Sequence, residues 1–173
     1  MDPLRWIDDE LKNLEGRHLD RQRQIRLGAQ SPAGITFAGQ SFANFASNDY
    51  LGLAAEDLLE TVRASLDQVG WGSGASPLIV GHGALHAELE EALAGFEQCQ
   101  AAILFPSGYS ANVGAITALV GPGDVIFSDA KNHASIIDGC RLSGAKIEVV
   151  PHTNVSVLRD GLAASGPFRR RLI

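Results

Sequence analysis

A chain of 173 residues with 45 % hydrophobic and 20 % charged residues is long enough to bury one sizeable core, and its balance excludes a disordered polypeptide. Its net charge of −6, with no long basic segment, argues against general nucleic-acid or membrane-surface binding and leaves room only for a local anion site. Cys99 and Cys140 have no C-x-x-C spacing, which speaks against a zinc knuckle or a secreted disulfide scaffold; without a membrane-length apolar run or an apolar leader, a reducing, cytoplasmic setting is expected.

Leu4, Ile7, Leu11, Leu14 and Leu19 fall at helical spacing and predict a helix over 3–25, with Arg21, Arg23 and Arg26 gathered at its end, where cations suit the dipole. Segments 35–38 and 41–46 flank Gly39-Gln40 and read as a small hairpin. In the polar stretch Ser47-Asn48-Asp49-Tyr50-Leu51-Gly52, Asn48 has two readings: it turns the backbone, or it points its amide at a bound carboxylate. Leu58, Leu59, Val62, Leu66 and Val69 mark an amphipathic helix ending at Gly70.

Residues 70–83, GWGSGASPLIVGHG, resemble a dinucleotide fingerprint only superficially, because Pro77 stands where the third glycine belongs and a helix, not a strand, precedes. A P-loop motif is also absent. The glycines are read as permitting close approach of another backbone, a ligand or a partner subunit. His82 and His86 lie four apart at the start of a helix carrying Leu85, Leu89, Leu93 and Phe96. Lacking a third ligand and an H-E-x-x-H pattern, they are read as a helix-entry and a half-buried histidine, with no metal.

The stretch AAILFPSGYSAN, 101–112, opens as a short buried strand over 101–105, breaks at Pro106 and Ser107-Gly108, and resumes as a helix with Val113, Ile116 and Leu119 at helical spacing. The first N–H groups of such a helix are unpaired and carry partial positive charge, so the turn is either a helix cap or a seat for phosphate or carboxylate. Ser107 adds a hydroxyl, Gly108 lets a ligand approach the main chain, and Tyr109 offers a flat ring. Together they suit a phosphorylated planar cofactor better than a nucleoside triphosphate.

Further on come a turn at 121–124, a strand at 125–127, a polar loop at 128–134, a helix with Ile136, Ile137 and Leu142 stopping near Gly144, a strand at 146–150 and a helix at 155–164. This alternation predicts an α/β fold with an open, mainly parallel sheet and ligands at the carboxyl ends of its strands. His133, in the loop after 125–127, opens on the same edge as Ser107-Gly108; it is either merely solvated or placed to stack on a flat ring and handle protons. Residues 169–173 read as the entrance to a further strand, so the chain is expected to be the N-terminal part of a longer protein.

Several separated stretches, in order, resemble the α-oxoamine synthases, pyridoxal-phosphate enzymes of the aspartate-aminotransferase fold. They are Ser47 to Leu53, Gly72-Ser73-Gly74-Ala75-Ser76 with Gly81, His86-Ala87-Glu88-Leu89-Glu90, Phe105 to Asn112, and Asn132-His133-Ala134-Ser135. The resemblance implies the incomplete large domain of a fold type I transferase, residues 47–173, preceded by a helix and hairpin segment, 1–46. It implies pyridoxal 5'-phosphate as cofactor, held by Ser107, Gly108 and Tyr109, with His133 stacked on the ring and also touching substrate. Asn48 would lie near the amino-acid carboxylate, and Arg21 would meet the acyl substrate.

The implied reaction is a C-acyl transfer in which an acyl thioester, pimeloyl-CoA or pimeloyl-ACP, condenses with L-alanine and loses carbon dioxide, as in biotin synthesis. Glycine C-acetyltransferase, 5-aminolevulinate synthase and serine palmitoyltransferase types remain alternatives, as does a non-catalytic partner of a full-length relative. The family forms homodimers. Its Schiff-base lysine motif matches none of Lys12, Lys131 and Lys146, so the chain alone is expected to be inactive.

Overall fold

The computed structural model describes residues 2–29 and 31–173; Met1 and Gln30, both within the expected 1–46 segment, lie outside the described residues. The chain divides into two compact units, 1–72 and 73–173.

In the first unit, helix α1 spans Arg5–Gly16, much shorter than the 3–25 expected from the leucine spacing. Gly16 is a poor helix former and His18 turns left-handed (φ 56), while Leu19 N–H bonds back to the Leu14 carbonyl at 2.9 Å, closing the helix. Arg21 and Arg23 therefore lie in irregular chain, and Arg26 opens strand β1 (Arg26–Leu27); none sits on the last turn of a helix. The hairpin is formed by β2 (Gly34–Phe37) and β3 (Gln40–Ala43), antiparallel, with Phe37 opposite Gln40. Its two turn residues, Ala38 and Gly39, both have positive φ (46 and 76), the handedness that matches the twist of a two-residue hairpin. β1 adds to the free edge of β2, an antiparallel pairing too short to leave a pattern in the sequence. Helix α2 (Leu59–Val69) ends at Gly70 as expected.

In the second unit, one π-helical turn (Pro77–Gly81) interrupts the glycine-rich loop and leads into α3 (Ala84–Phe96). Gly81 is buried, and a Cβ there would stand 1.9 Å from the Ala75 carbonyl oxygen, so this glycine serves close backbone approach. Then follow α4 (Gly108–Leu119), β4 (Val125–Asp129), α5 (Ala134–Ser143), β5 (Lys146–Val150), α6 (Val155–Ala164) and β6 (Arg171–Leu172). The sheet is parallel, in the order β5-β4-β6. This is the expected α/β arrangement, including the strand at the end of the chain.

Alternation along β4 splits the core in two. Ile126 faces a cluster with Val120, Cys140 and Ala145, joined by Ile116 and Ile136 of α4 and α5. Val125 and Phe127 face the other way, with Val150, Leu158 and Leu162, so α6 covers the opposite side of the sheet. Gly139 lets α4 and α5 meet closely, since a Cβ there would stand 3.0 Å from Ile116 Cδ1 and 3.3 Å from the Asn112 carbonyl oxygen. At the amino edge, Arg169 donates twice to buried Asp124, at 3.0 and 2.7 Å, and clamps the approach to β6 against the start of β4.

The strand expected at 101–105 is not formed. No described strand pairs with it, and Ile103 and Phe105 are exposed rather than buried. An apolar run has the propensity for a strand, but a strand needs a neighbour to complete its ladder. Here the side chain of Glu90 supplies a bond instead, accepting Leu104 N–H at 2.9 Å.

Candidate anion-binding site at the carboxyl edge of the sheet

α4 runs down to the turn that starts β4, so its first residues lie at the carboxyl edge of the sheet, where α5 also begins after β4 ends. Ser107 is the N-cap of α4: its Oγ accepts Ser110 N–H at 3.1 Å and its carbonyl accepts Ala111 N–H at 3.0 Å. The cap reading is therefore correct, and it does not exhaust the turn. The N–H groups of Gly108 and Tyr109 have no acceptor among the described residues, and a Cβ on Gly108 would meet open space. Two free donors, a helix dipole of three turns and no side chain in the way make a fit for a phosphate or carboxylate oxygen.

Tyr109 donates through its hydroxyl to Asp138 Oδ2 at 2.6 Å, a bond from α4 to α5 that fixes the ring. The carboxylate as acceptor pushes the Tyr109 phenol above its ordinary pKa, so it stays a donor at neutral pH. His133 is the N-cap of α5, and its Nδ1 accepts Ser135 N–H at 3.2 Å. Ser135 Oγ, 2.7 Å from the same nitrogen, receives Asn112 Nδ2 at 2.9 Å. Ser107, Gly108, Tyr109 and His133 are thus brought to one edge by two cross-links between neighbouring helices. His133 is exposed, and its ring is nonetheless held.

Beside them, Asp129 ends β4 and accepts Lys131 N–H at 2.7 Å and Thr153 N–H at 3.1 Å, with His152 Nδ1 at 2.9 Å. Those N–H groups, then His152, lower its carboxyl to about 2. A cavity of about 340 Å³ runs along the face between β4 and α4, lined by Asn112, Ile116, Ile126, Ser128 and Asn132.

Asn48 and Arg21 belong to the first unit. Both are exposed: Asn48 Oδ1 accepts the Tyr50 hydroxyl at 3.3 Å, and Arg21 Nη1 donates to the Asp20 carbonyl at 3.3 Å. His82 Nε2 lies 3.0 Å from Glu90, and His86 Nδ1 accepts Gly83 N–H at 3.1 Å; His86 is exposed rather than half-buried. Among the described residues no three metal-ligating side chains converge. Lys146 Nζ pairs with Glu148 at 2.7 Å.

Residue-by-residue reading missed Asn112, Ser135 and Asp138, the side chains that orient His133 and Tyr109. The one local signal was the His133-x-Ser135 spacing, which suits a side chain capping the backbone two residues on.

Residues 40–167 match the family described as aminotransferase class I and II. The chain belongs to that family. Among curated relatives, an 8-amino-7-oxononanoate synthase of Anaeromyxobacter sp. is 46 % identical over 99 % of this chain and 43 % of its own length. One of Chromobacterium violaceum is 46 % identical over 94 % of this chain and 43 % of its own. Among solved structures of family relatives, Sphingomonas wittichii serine palmitoyltransferase has a TM-score of 0.86 at 30 % identity, covering 98 % of this chain and 44 % of that one. An 8-amino-7-oxononanoate synthase from Francisella tularensis has a TM-score of 0.58 at 35 % identity, covering 67 % and 32 %. The chain spans less than half the length of the curated relatives it matches. Its parallel sheet with helices on both sides is part of the large domain of this fold type, and the stretches Phe105 to Asn112 and Asn132 to Ser135 belong to the same unit as that sheet. Among the described residues, no helix is long and apolar enough to cross a membrane.

Proposed function

We propose that this chain supplies the N-terminal part of a cytoplasmic, homodimeric, pyridoxal-phosphate-dependent C-acyltransferase that joins a pimeloyl thioester to L-alanine, with decarboxylation, to give 8-amino-7-oxononanoate. The observation that carries this reading is the pair of free N–H groups at Gly108 and Tyr109, set on the same edge as a restrained His133. The names of relatives at 46 % identity favour alanine and a pimeloyl thioester over the serine palmitoyltransferase type, whose structures match at 30 % identity.

Pyridoxal 5'-phosphate, when bound, supplies the electron sink for a carbanion next to the amino-acid nitrogen. The chain's own residues hold and orient. The Gly108 and Tyr109 N–H groups would hold the phosphate, with the Ser107 hydroxyl as a further donor. His133 would stack on the ring and contact the substrate, and Asp138 holds Tyr109 through its hydroxyl. The resemblance to the α-oxoamine synthases assigns Asn48 to the amino-acid carboxylate and Arg21 to the acyl substrate. Lys12, Lys131 and Lys146 do not serve as the Schiff-base lysine, so the chain alone does not catalyse.

The reading is tested with a chimera that joins this chain to the remaining sequence of the Anaeromyxobacter relative. Free thiol should appear from pimeloyl-CoA only with L-alanine present; a preference for serine with a long-chain acyl thioester would favour the palmitoyltransferase type. For the chain alone, borohydride treatment after incubation with the cofactor should label no single lysine. A specific, stoichiometric label would contradict its inactivity.

A further inference from the structure

The hydrogen bonds around His133 run in one direction. The backbone N–H of Ser135 can only donate, and at 3.2 Å it donates to His133 Nδ1, so that nitrogen presents a lone pair. Ser135 Oγ stands 2.7 Å from the same lone pair and receives the amide N–H of Asn112 at 2.9 Å. The oxygen is thus occupied by one donor, and its own proton is left pointing at Nδ1. Ser135 is fully buried, so water does not offer the hydroxyl another partner.

We propose that Asn112 and Ser135 are positioning residues that fix both the rotation of the His133 ring and its tautomer, with the ring proton on Nε2. The relay reads Asn112 Nδ2–H to Ser135 Oγ–H to His133 Nδ1. It joins α4 to the first turn of α5, and Gly139 makes room for it by letting the Asn112 backbone come within 3.3 Å of its own Cβ position. The consequence is a ring whose free edge carries a donor. A neutral His133 then offers N–H to a ligand oxygen and does not compete for protons on that ligand. That last use rests on the reading of His133 as a cofactor- and substrate-facing residue; the relay does not.

The test is nitrogen NMR on the intact protein labelled at histidine, without cofactor, above the pH at which the imidazoles titrate. The His133 signals are identified by their loss in His133→Gln. In the wild type, Nδ1 should show the unprotonated, pyridine-type shift. In Asn112→Asp the new carboxylate accepts the hydrogen bond of the Ser135 hydroxyl, so Nδ1 keeps only the backbone N–H of Ser135 as donor and moves further from the protonated, pyrrole-type shift. Against Ser135→Ala alone, adding Asn112→Asp should produce no such movement, since the relay has lost its middle link. A pyrrole-type Nδ1 in the wild type overturns the proposal by itself, even if a variant does not fold. A shift in Asn112→Asp that persists without Ser135, or no shift at all, overturns it as well. Because no ligand is present, failure of the cofactor reading leaves these outcomes untouched.

Discussion

Glu90 on α3 accepts the backbone N–H of Leu104 through Oε1 at 2.9 Å, and its other oxygen lies 3.0 Å from His82 Nε2. One side chain thus holds the extended segment that leads into Ser107. The Leu104 N–H, and then His82, keep the Glu90 carboxyl below its ordinary value. Glu90→Ala should speed exchange of the Leu104 amide hydrogen by about tenfold, as loss of a charge-assisted hydrogen bond allows, while Glu90→Gln retains part of the protection. Protection in the wild type should be present above the ordinary carboxyl pKa and fade as pH falls through the lowered one. Hydrogen exchange followed by mass spectrometry reads both; equal exchange in all three proteins would contradict the role.

Phe127 lies in the middle of β4, nearly buried against α6. Phe127→Ala removes a ring from a packed cluster and should cost about 3–5 kcal/mol of stability, against about 0.5 kcal/mol or less for Val149→Ala on the exposed part of β5. Urea unfolding of the two variants checks the contrast.

Asp124 is held far below the ordinary carboxylate range, first by Arg169 and then by the N–H of Gly121. Asp129 is lowered to about 2 by the N–H groups of Lys131 and Thr153 and by His152. Both folded-state values lie below the ordinary value near 3.8, so both carboxylates contribute stability above about pH 4 and lose it as pH falls through the folded values. Thermal midpoints should therefore fall steeply from pH 4 toward pH 2, and Asp124→Asn should lower the midpoint at pH 6 while flattening that fall. A midpoint independent of pH in this range would contradict the account.

The sequence made the alternation from α4 to β6 legible because each element there buries one side, and period 2 or 3.6 follows from that. The end of α1 is not legible because Leu19 continues the helical spacing after Gly16 and His18 have already turned the chain. Residues 101–105 carry the pattern of a buried strand without forming one because propensity reports what a segment accepts, while pairing depends on a neighbour. At the site, Ser107, Gly108 and His133 stood out because a strand-like run, a Gly turn and a polar loop are local. Asn112, Ser135 and Asp138 did not, because their work is done across two helices whose contact no spacing records.

The central claim is that the free N–H groups of Gly108 and Tyr109 hold the cofactor phosphate. The most direct measurement is a phosphorus NMR titration of pyridoxal 5'-phosphate with the wild type and with Gly108→Val. A Cβ at that position meets open space, so the substitution adds bulk next to the donors without a clash at that atom. The account predicts saturable binding to the wild type, at least about tenfold weaker binding to the variant, and equal thermal midpoints without cofactor. Equal affinity of the two proteins would contradict it.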